Sequence, residues 1–346
     1  MMRIEISVDL LKDSEGYENA ELVLKLISFF REARHEWVLP PQHVDSVSDF
    51  LQRHVPTFAQ TYLLLAQKAS GLAHAWAPRG TSAAVVMVTG ESLADDVRDL
   101  GRPAVLVVEN ATYDWKMIEA VAHLLGCEDI VASKEAGHLD VYNGGGKDGA
   151  SRYAVDQVAK FRRTKRVVLV IDSDSFCPGE RTNNHKQADL LVQEGGSSHV
   201  LSFREMENYI PNRVLARQPK NSVAQAAMAK RLESLKRLSA EQRAHFDMKY
   251  GFKGKPKKRS ESRKGKPRRS GKVGKTYHVP PQHRGLYDGV GEQDLIILQE
   301  GFGTDLPGLF LQAVQRGGIS EEDVDGLALG ATSELRLMLE KIRRVI

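Results

Sequence analysis

Between Ser82 and Pro211 the chain repeats one pattern: a short run of aliphatic, largely β-branched residues, then a stretch of helical periodicity, then another such run. The spacing predicts strands over Ala83–Val88, Ala104–Val108, Leu139–Tyr142, Val167–Ile171 and His199–Phe203. Helices are predicted near Leu93–Leu100, Trp115–Leu125, Ser151–Phe161 and Asn184–Gln193. Strands that are apolar on both faces and separated by helices belong in a parallel sheet covered on both sides. Residues 82–213 therefore read as one α/β domain. Ligands of open sheets bind beyond the carboxyl ends of the strands, so the polar residues placed there carry the functional argument.

The flanks read differently. Residues 1–81 look mainly helical, with apolar positions at helical spacing in Ala20–Arg34 and Thr57–Ala73, and carry no evident chemistry, which suits packing or partner binding. Residues 214–346 read as a helical region folded back on the sheet. It contains a long helical candidate over Ser222–Asp247, a basic loop, the stretch Leu286–Glu300, and two short helices with Ser320 and Ser333 as N-caps. The longest aliphatic runs are Ala83–Val88, Ala104–Val108 and Val167–Ile171, far below the roughly 18 apolar residues of a membrane helix. The N-terminus lacks the apolar core of a signal peptide. Only Cys127 and Cys177 occur, with no CxxC, which argues against a disulfide framework or a thiolate zinc site. A cytoplasmic protein is expected.

Charge is unevenly divided. Lys253–Lys275 holds 12 Lys or Arg against the single acid Glu261, so a chain of net charge +4 is an acidic body of −7 joined to a segment of +11. With Gly, Pro and Ser and almost no apolar side chain, that segment cannot build a core. Lys257, Lys258, Arg259, Arg263, Lys264, Arg268 and Arg269 are expected to neutralise the phosphates of a nucleic acid through salt-sensitive, largely sequence-blind contacts.

Acidic residues follow three of the predicted strands. Val105–Val108 leads to Glu109, Val167–Ile171 to Asp172-Ser173-Asp174, and Val200–Phe203 to Arg204-Glu205-Met206-Glu207-Asn208-Tyr209. Glu91, after the first strand, competes with Glu109 as the first of these acids. In extended chain, residues i and i+2 project to one side, so Asp172 with Asp174, and Glu205 with Glu207, can face one spot. Crowded carboxylates repel unless a cation joins them. Oxygen ligands without a His/Cys cluster favour Mg²⁺ or Mn²⁺, ions that serve phosphodiester displacement. Gly144-Gly145-Gly146 can bring backbone close to a phosphate, with Lys147 just ahead of a helix. The alternative for that stretch is a plain strand-to-helix turn with a solvated lysine. Arg204 is a candidate partner of the acids, and Tyr209 a candidate core residue.

The order Glu109, Gly144-Gly145-Gly146-Lys147, Asp172-Ser173-Asp174 and Arg204–Tyr209 resembles a Toprim domain, over roughly residues 100–305. The fragments VVLVIDSDSFCPGE and REMENYIP most resemble the OLD-type phage-defence Toprim nucleases. The resemblance implies a Toprim-like central parallel sheet flanked by helices. It implies Glu109 as metal ligand or general base, Asp172 and Asp174 as metal ligands, Glu207, alone or with Glu205, as a further ligand, and Lys147 at the scissile phosphate. It also implies an endonuclease acting on DNA or RNA with Mg²⁺ or Mn²⁺. The alternative within the same family is a non-catalytic nucleic-acid-binding module of the recombination-mediator type; self-association is compatible with either. Two departures stand out. Asn110 occupies a place where glycine is common after the first Glu, and the ATPase domain of OLD proteins has no counterpart here, since Lys147 is followed by Asp148 and the phosphate-loop spacing is missing. ATP dependence would then require a separate ATPase partner.

Overall fold

A computed structural model describes residues 2–12, 17–74, 85–145, 147–216, 222–253, 278–328 and 330–346. The protein is α/β, with two parallel sheets flanked by helices. The first sheet is formed by β1 (Arg3–Ile6), β2 (Glu36–Trp37) and β3 (Val85–Val88) in the order β2-β1-β3. The second is formed by β4 (Ala104–Val108), β5 (Leu139–Asn143), β6 (Val167–Ile171) and β7 (Ser197–Val200) in the order β5-β4-β6-β7.

Two sequence expectations change here. The N-terminal stretch contributes strands as well as helices: in Arg3-Ile4-Glu5-Ile6 the isoleucines alternate inward and are buried. Val85–Val88 does not join the sheet of β4. It pairs with β1, Arg3 opposite Val85 and Ile6 opposite Val88. An apolar run states that it needs a neighbour, not which one. The result is an edge strand whose Val85 and Met87 remain about two-fifths exposed, at 39% and 40%.

In the second sheet β4 and β6 are central and buried throughout. Their alternation separates two cores. Leu106, Val108, Val168 and Val170 face the helix Ala111–Leu124 and the C-terminal helices. Val105, Val107, Val167, Leu169 and Ile171 face the helices Lys147–Val158 and Asn183–Gln193. The expected strand His199–Phe203 lies earlier, at Ser197–Val200, because this edge position accepts polar residues. Leu201 and Phe203 have already turned inward, and Phe203 stacks on Tyr209 at 4.2 Å between ring centroids.

The C-terminal helices fold back on the sheet as expected. Leu306–Gln315 packs on Ala111–Leu124, and Ala331–Arg343 packs on β7 and β6. Buried polar groups join the two sheets. Arg166 donates to the carbonyl oxygens of Leu100, Arg102 and Val345. The Asp99 carboxylate accepts the backbone N–H groups of Arg162, Arg163 and Thr164 at 2.7–3.1 Å. Among the described residues no helix is long and apolar enough to cross a membrane.

Candidate metal centre

β4 and β6 are parallel neighbours, so Glu109 and Asp172 leave the same edge of the sheet. β7 runs beside β6 and feeds the turn that carries Glu205 and Glu207. Glu205 has extended backbone, at φ −147° and ψ 160°, and caps a single helical turn, Met206–Tyr209. Asn208, buried inside that turn, holds it in place. Its Oδ1 accepts from Glu205 N at 3.0 Å, and its Nδ2 donates to the carbonyls of Arg243 and Phe246 at 2.7 and 2.9 Å. Arg243, itself buried, donates back to the carbonyls of Asn208 and Ile210.

Carboxylate oxygens of Asp172, Glu205 and Glu207 lie within 4.8 Å of one another, a buried acidic group that could hold a metal ion. Backbone N–H groups decide how these acids point. Asp172 Oδ1 accepts from Met206 N at 2.9 Å, and Glu205 Oε1 accepts from Met248 N at 2.6 Å and Lys249 N at 3.2 Å. The second oxygen of each then faces a common centre. Glu207, 2% exposed, contributes Oε2 there without a well-directed hydrogen bond.

At that centre stands the ammonium of Lys249. Its Nζ is 2.9 Å from Glu207 Oε2, 3.3 Å from Glu205 Oε2 and 4.0 Å from Asp172 Oδ2. Burial pushes the Asp172 carboxyl well above the usual carboxylate range and Glu205 up to about 8; Lys249 opposes both shifts, and the neighbouring acids add to them. Burial disfavours the lysine's charge, but Glu205, Asp172 and Glu207 outweigh it and raise its pKa. The group is a dense charge network in which the acids favour the lysine's charge, while Lys249 offsets only part of the cost of burying theirs.

The expected residues divide. Asp172, Glu205 and Glu207 meet. Glu109 follows β4 at the same edge but is not among the converging oxygens. Asp174 also stands apart from them. Its φ of +55° breaks the extended alternation that would align it with Asp172, and its Oδ2 accepts from Asn184 Nδ2 at 3.0 Å. Asn184 also donates to the Asp172 carbonyl, so this turn is fixed by the helix that follows it. Asn110 does not need the left-handed conformation: at φ −134° it is the N-cap of Ala111–Leu124 and accepts from Thr112 N and Tyr113 N. Arg204 forms its ion pair with Asp247 at 3.8 Å and covers the ring of Phe176, and its charge also acts on Glu205, favouring the ionised carboxylate.

Gly144 and Gly149 are needed for close packing, since a Cβ on Gly144 would collide with Ala150 and one on Gly149 with the Gly144 carbonyl. Lys147 is the first residue of the helix that follows. The expected phosphate contacts Lys257, Lys258, Arg259, Arg263, Lys264, Arg268 and Arg269 lie outside the described residues.

Sequence reasoning missed two members. Lys249 is 42 positions beyond Glu207, and its only local signal is the Tyr250-Gly251-Phe252 turn beside it. Asp114, in the first turn of Ala111–Leu124, is pushed up to about 7 by burial; its hydrogen bond from Asn110 N opposes this, and Glu207 and Glu109 reinforce it. It lies electrostatically between Glu109 and the three-acid group. No family model, no curated protein and no solved structure matches the chain significantly.

Proposed function

We propose that the protein is a metal-dependent endonuclease with a Toprim-like core, hydrolysing phosphodiester bonds in DNA or RNA. The observation that carries this reading is the orientation of Asp172, Glu205 and Glu207: one oxygen of each of the first two is tied to backbone N–H, and the free oxygens converge with Glu207 Oε2. An all-oxygen set of three carboxylates fits Mg²⁺ or Mn²⁺. When bound, such an ion supplies Lewis-acid stabilisation for displacement at phosphorus.

The chain's own residues do the rest. Asp172, Glu205 and Glu207 hold the ion, and Asn208 and Arg243 keep the Glu205–Glu207 turn rigid. Glu109, which follows β4 at the same sheet edge, would serve as a further ligand or as the base for water. Lys147, at a helix start beside a glycine turn, is suited to a phosphate oxygen. The basic segment Lys253–Lys275 supplies the attraction that an acidic site lacks for a polyanion. The resemblance to OLD-type proteins extends the proposal to an anti-phage effector working with a separate ATPase.

The experiment is incubation of the purified protein with plasmid, single-stranded DNA and tRNA in Mg²⁺ or Mn²⁺, beside Glu207→Gln and an EDTA control. Cleavage by the unaltered protein alone supports the reading. Absence of cleavage with every substrate, even with the product of the adjacent gene supplied, overturns it.

One observation favours a second reading. Lys249 already neutralises part of the acid charge, as a purely structural ion-pair cluster would. A non-catalytic nucleic-acid-binding module would bind DNA or RNA equally well in EDTA and cut neither.

A further inference from the structure

We infer that Lys249 is the protein's own cation for the acid site: its ammonium and a divalent ion compete for the same carboxylate oxygens, and metal loading requires the Lys249 side chain to leave. This rests on reading Asp172, Glu205 and Glu207 as metal ligands.

The oxygens that face inward are the ones Nζ contacts, Glu207 Oε2 at 2.9 Å and Glu205 Oε2 at 3.3 Å, with Asp172 Oδ2 at 4.0 Å. Asp172 Oδ1 and Glu205 Oε1 are already engaged by backbone N–H and do not offer an alternative set. Two cations cannot share the inward oxygens at contact distance without strong repulsion. A lysine suits the role, being a compact point charge on a flexible stem.

The backbone of Lys249 cannot move aside. Its N–H donates to Glu205 Oε1, its carbonyl accepts from Gly303 N at 3.2 Å, and the Met248 carbonyl accepts from Phe302 N at 2.7 Å. Gly301 passes so close that a Cβ there would collide with the Lys249 carbonyl group. Exchange is therefore a side-chain rotation, and the Lys249 side chain is 25% exposed, so it has a route to solvent. Asp172 and Glu205 are held by main-chain contacts that do not involve Nζ, so these two acids stay in place when it leaves.

A competitor of this kind lowers apparent metal affinity by the fraction of molecules in which the site is free. Titration of Mn²⁺ into the unaltered protein and into Lys249→Met, followed calorimetrically at one ionic strength, reads that fraction. The expected result is Kd tighter in Lys249→Met by about ten-fold or more. Equal or weaker binding overturns the inference and leaves the metal site standing. Binding by neither protein overturns both.

A second measurement uses the unaltered chain and decides the matter if Lys249→Met fails to fold. Acylation of lysine amines, read peptide by peptide by mass spectrometry, is compared in EDTA and in saturating Mn²⁺. Lys249 should be protected in EDTA and several-fold more reactive with Mn²⁺; an unchanged or reduced reactivity overturns the inference.

Discussion

Asp172 Oδ1 accepts the backbone N–H of Met206 at 2.9 Å, which fastens the acid after β6 to the turn bearing Glu205 and Glu207. An asparagine at position 172 can keep that bond through its amide oxygen, but it then presents NH₂ instead of a carboxylate oxygen to the centre. Asp172→Asn is therefore expected to stay folded and to lose Mn²⁺ binding. Its cleavage rate should fall by about 100-fold or more, equivalent to roughly 2.7 kcal/mol of barrier. Calorimetry and a plasmid-nicking time course check this; an unaltered rate would remove Asp172 from the site.

Asn208 is fully buried and joins three backbone groups, Glu205 N and the carbonyls of Arg243 and Phe246. Asn208→Ala leaves them without this partner, and unsatisfied buried groups cost about 1–3 kcal/mol each. The expected fall in stability, read by urea unfolding, is about 3 kcal/mol. Metal binding should weaken with it, because the Glu205–Glu207 turn loosens. A variant as stable as the parent would show that the turn does not depend on this side chain.

His35 makes stability depend on acid. It is buried, donates from Nε2 to Leu100 O at 3.0 Å, and its pKa is lowered to about 3, first by burial and then by the charge of Arg166. The unfolded chain takes up a proton near pH 6.5 that the folded chain refuses until about pH 3. The stability associated with a neutral His35 is thus complete above 6.5, declines as pH falls, and levels off near 3. The slope within that window is up to about 1.4 kcal/mol per pH unit. Urea unfolding across this range should show a shallower acid decline in His35→Leu; parallel curves would rule out the contribution.

The basic segment should act through charge rather than sequence. Replacing Lys257, Lys258, Arg259, Arg263, Lys264, Arg268 and Arg269 by serine is expected to weaken binding to unrelated nucleic acids alike. The salt dependence of log K should flatten by about 0.9 for each duplex phosphate that is no longer neutralised. Filter binding at several salt concentrations measures both. An unchanged slope would place the phosphate-binding cations elsewhere on the protein.

The central strands are legible in the sequence because β4 and β6 are continuous apolar runs, a pattern that local sequence displays directly. Asp172, Glu205 and Glu207 are legible for a related reason: acids next to buried strands have few places to go. Partner choice is not legible. Val85–Val88 reads like any buried strand, yet it lies on β1, because pairing is decided by packing across the whole chain. Asp174 departs from its expected place because alternation holds only in extended backbone and its φ is positive. Lys249 carries no local mark beyond the Tyr250-Gly251-Phe252 turn beside it, since its role comes from hydrogen bonds that bring residues 248–249 to Glu205. Sequence alone thus determined the α/β class, the sheet edge where acids gather and the split between acidic body and basic segment, all consequences of periodicity and composition. Only the tertiary structure decided which oxygens face one another and which cation stands among them, because those depend on backbone hydrogen bonds between segments far apart in the chain.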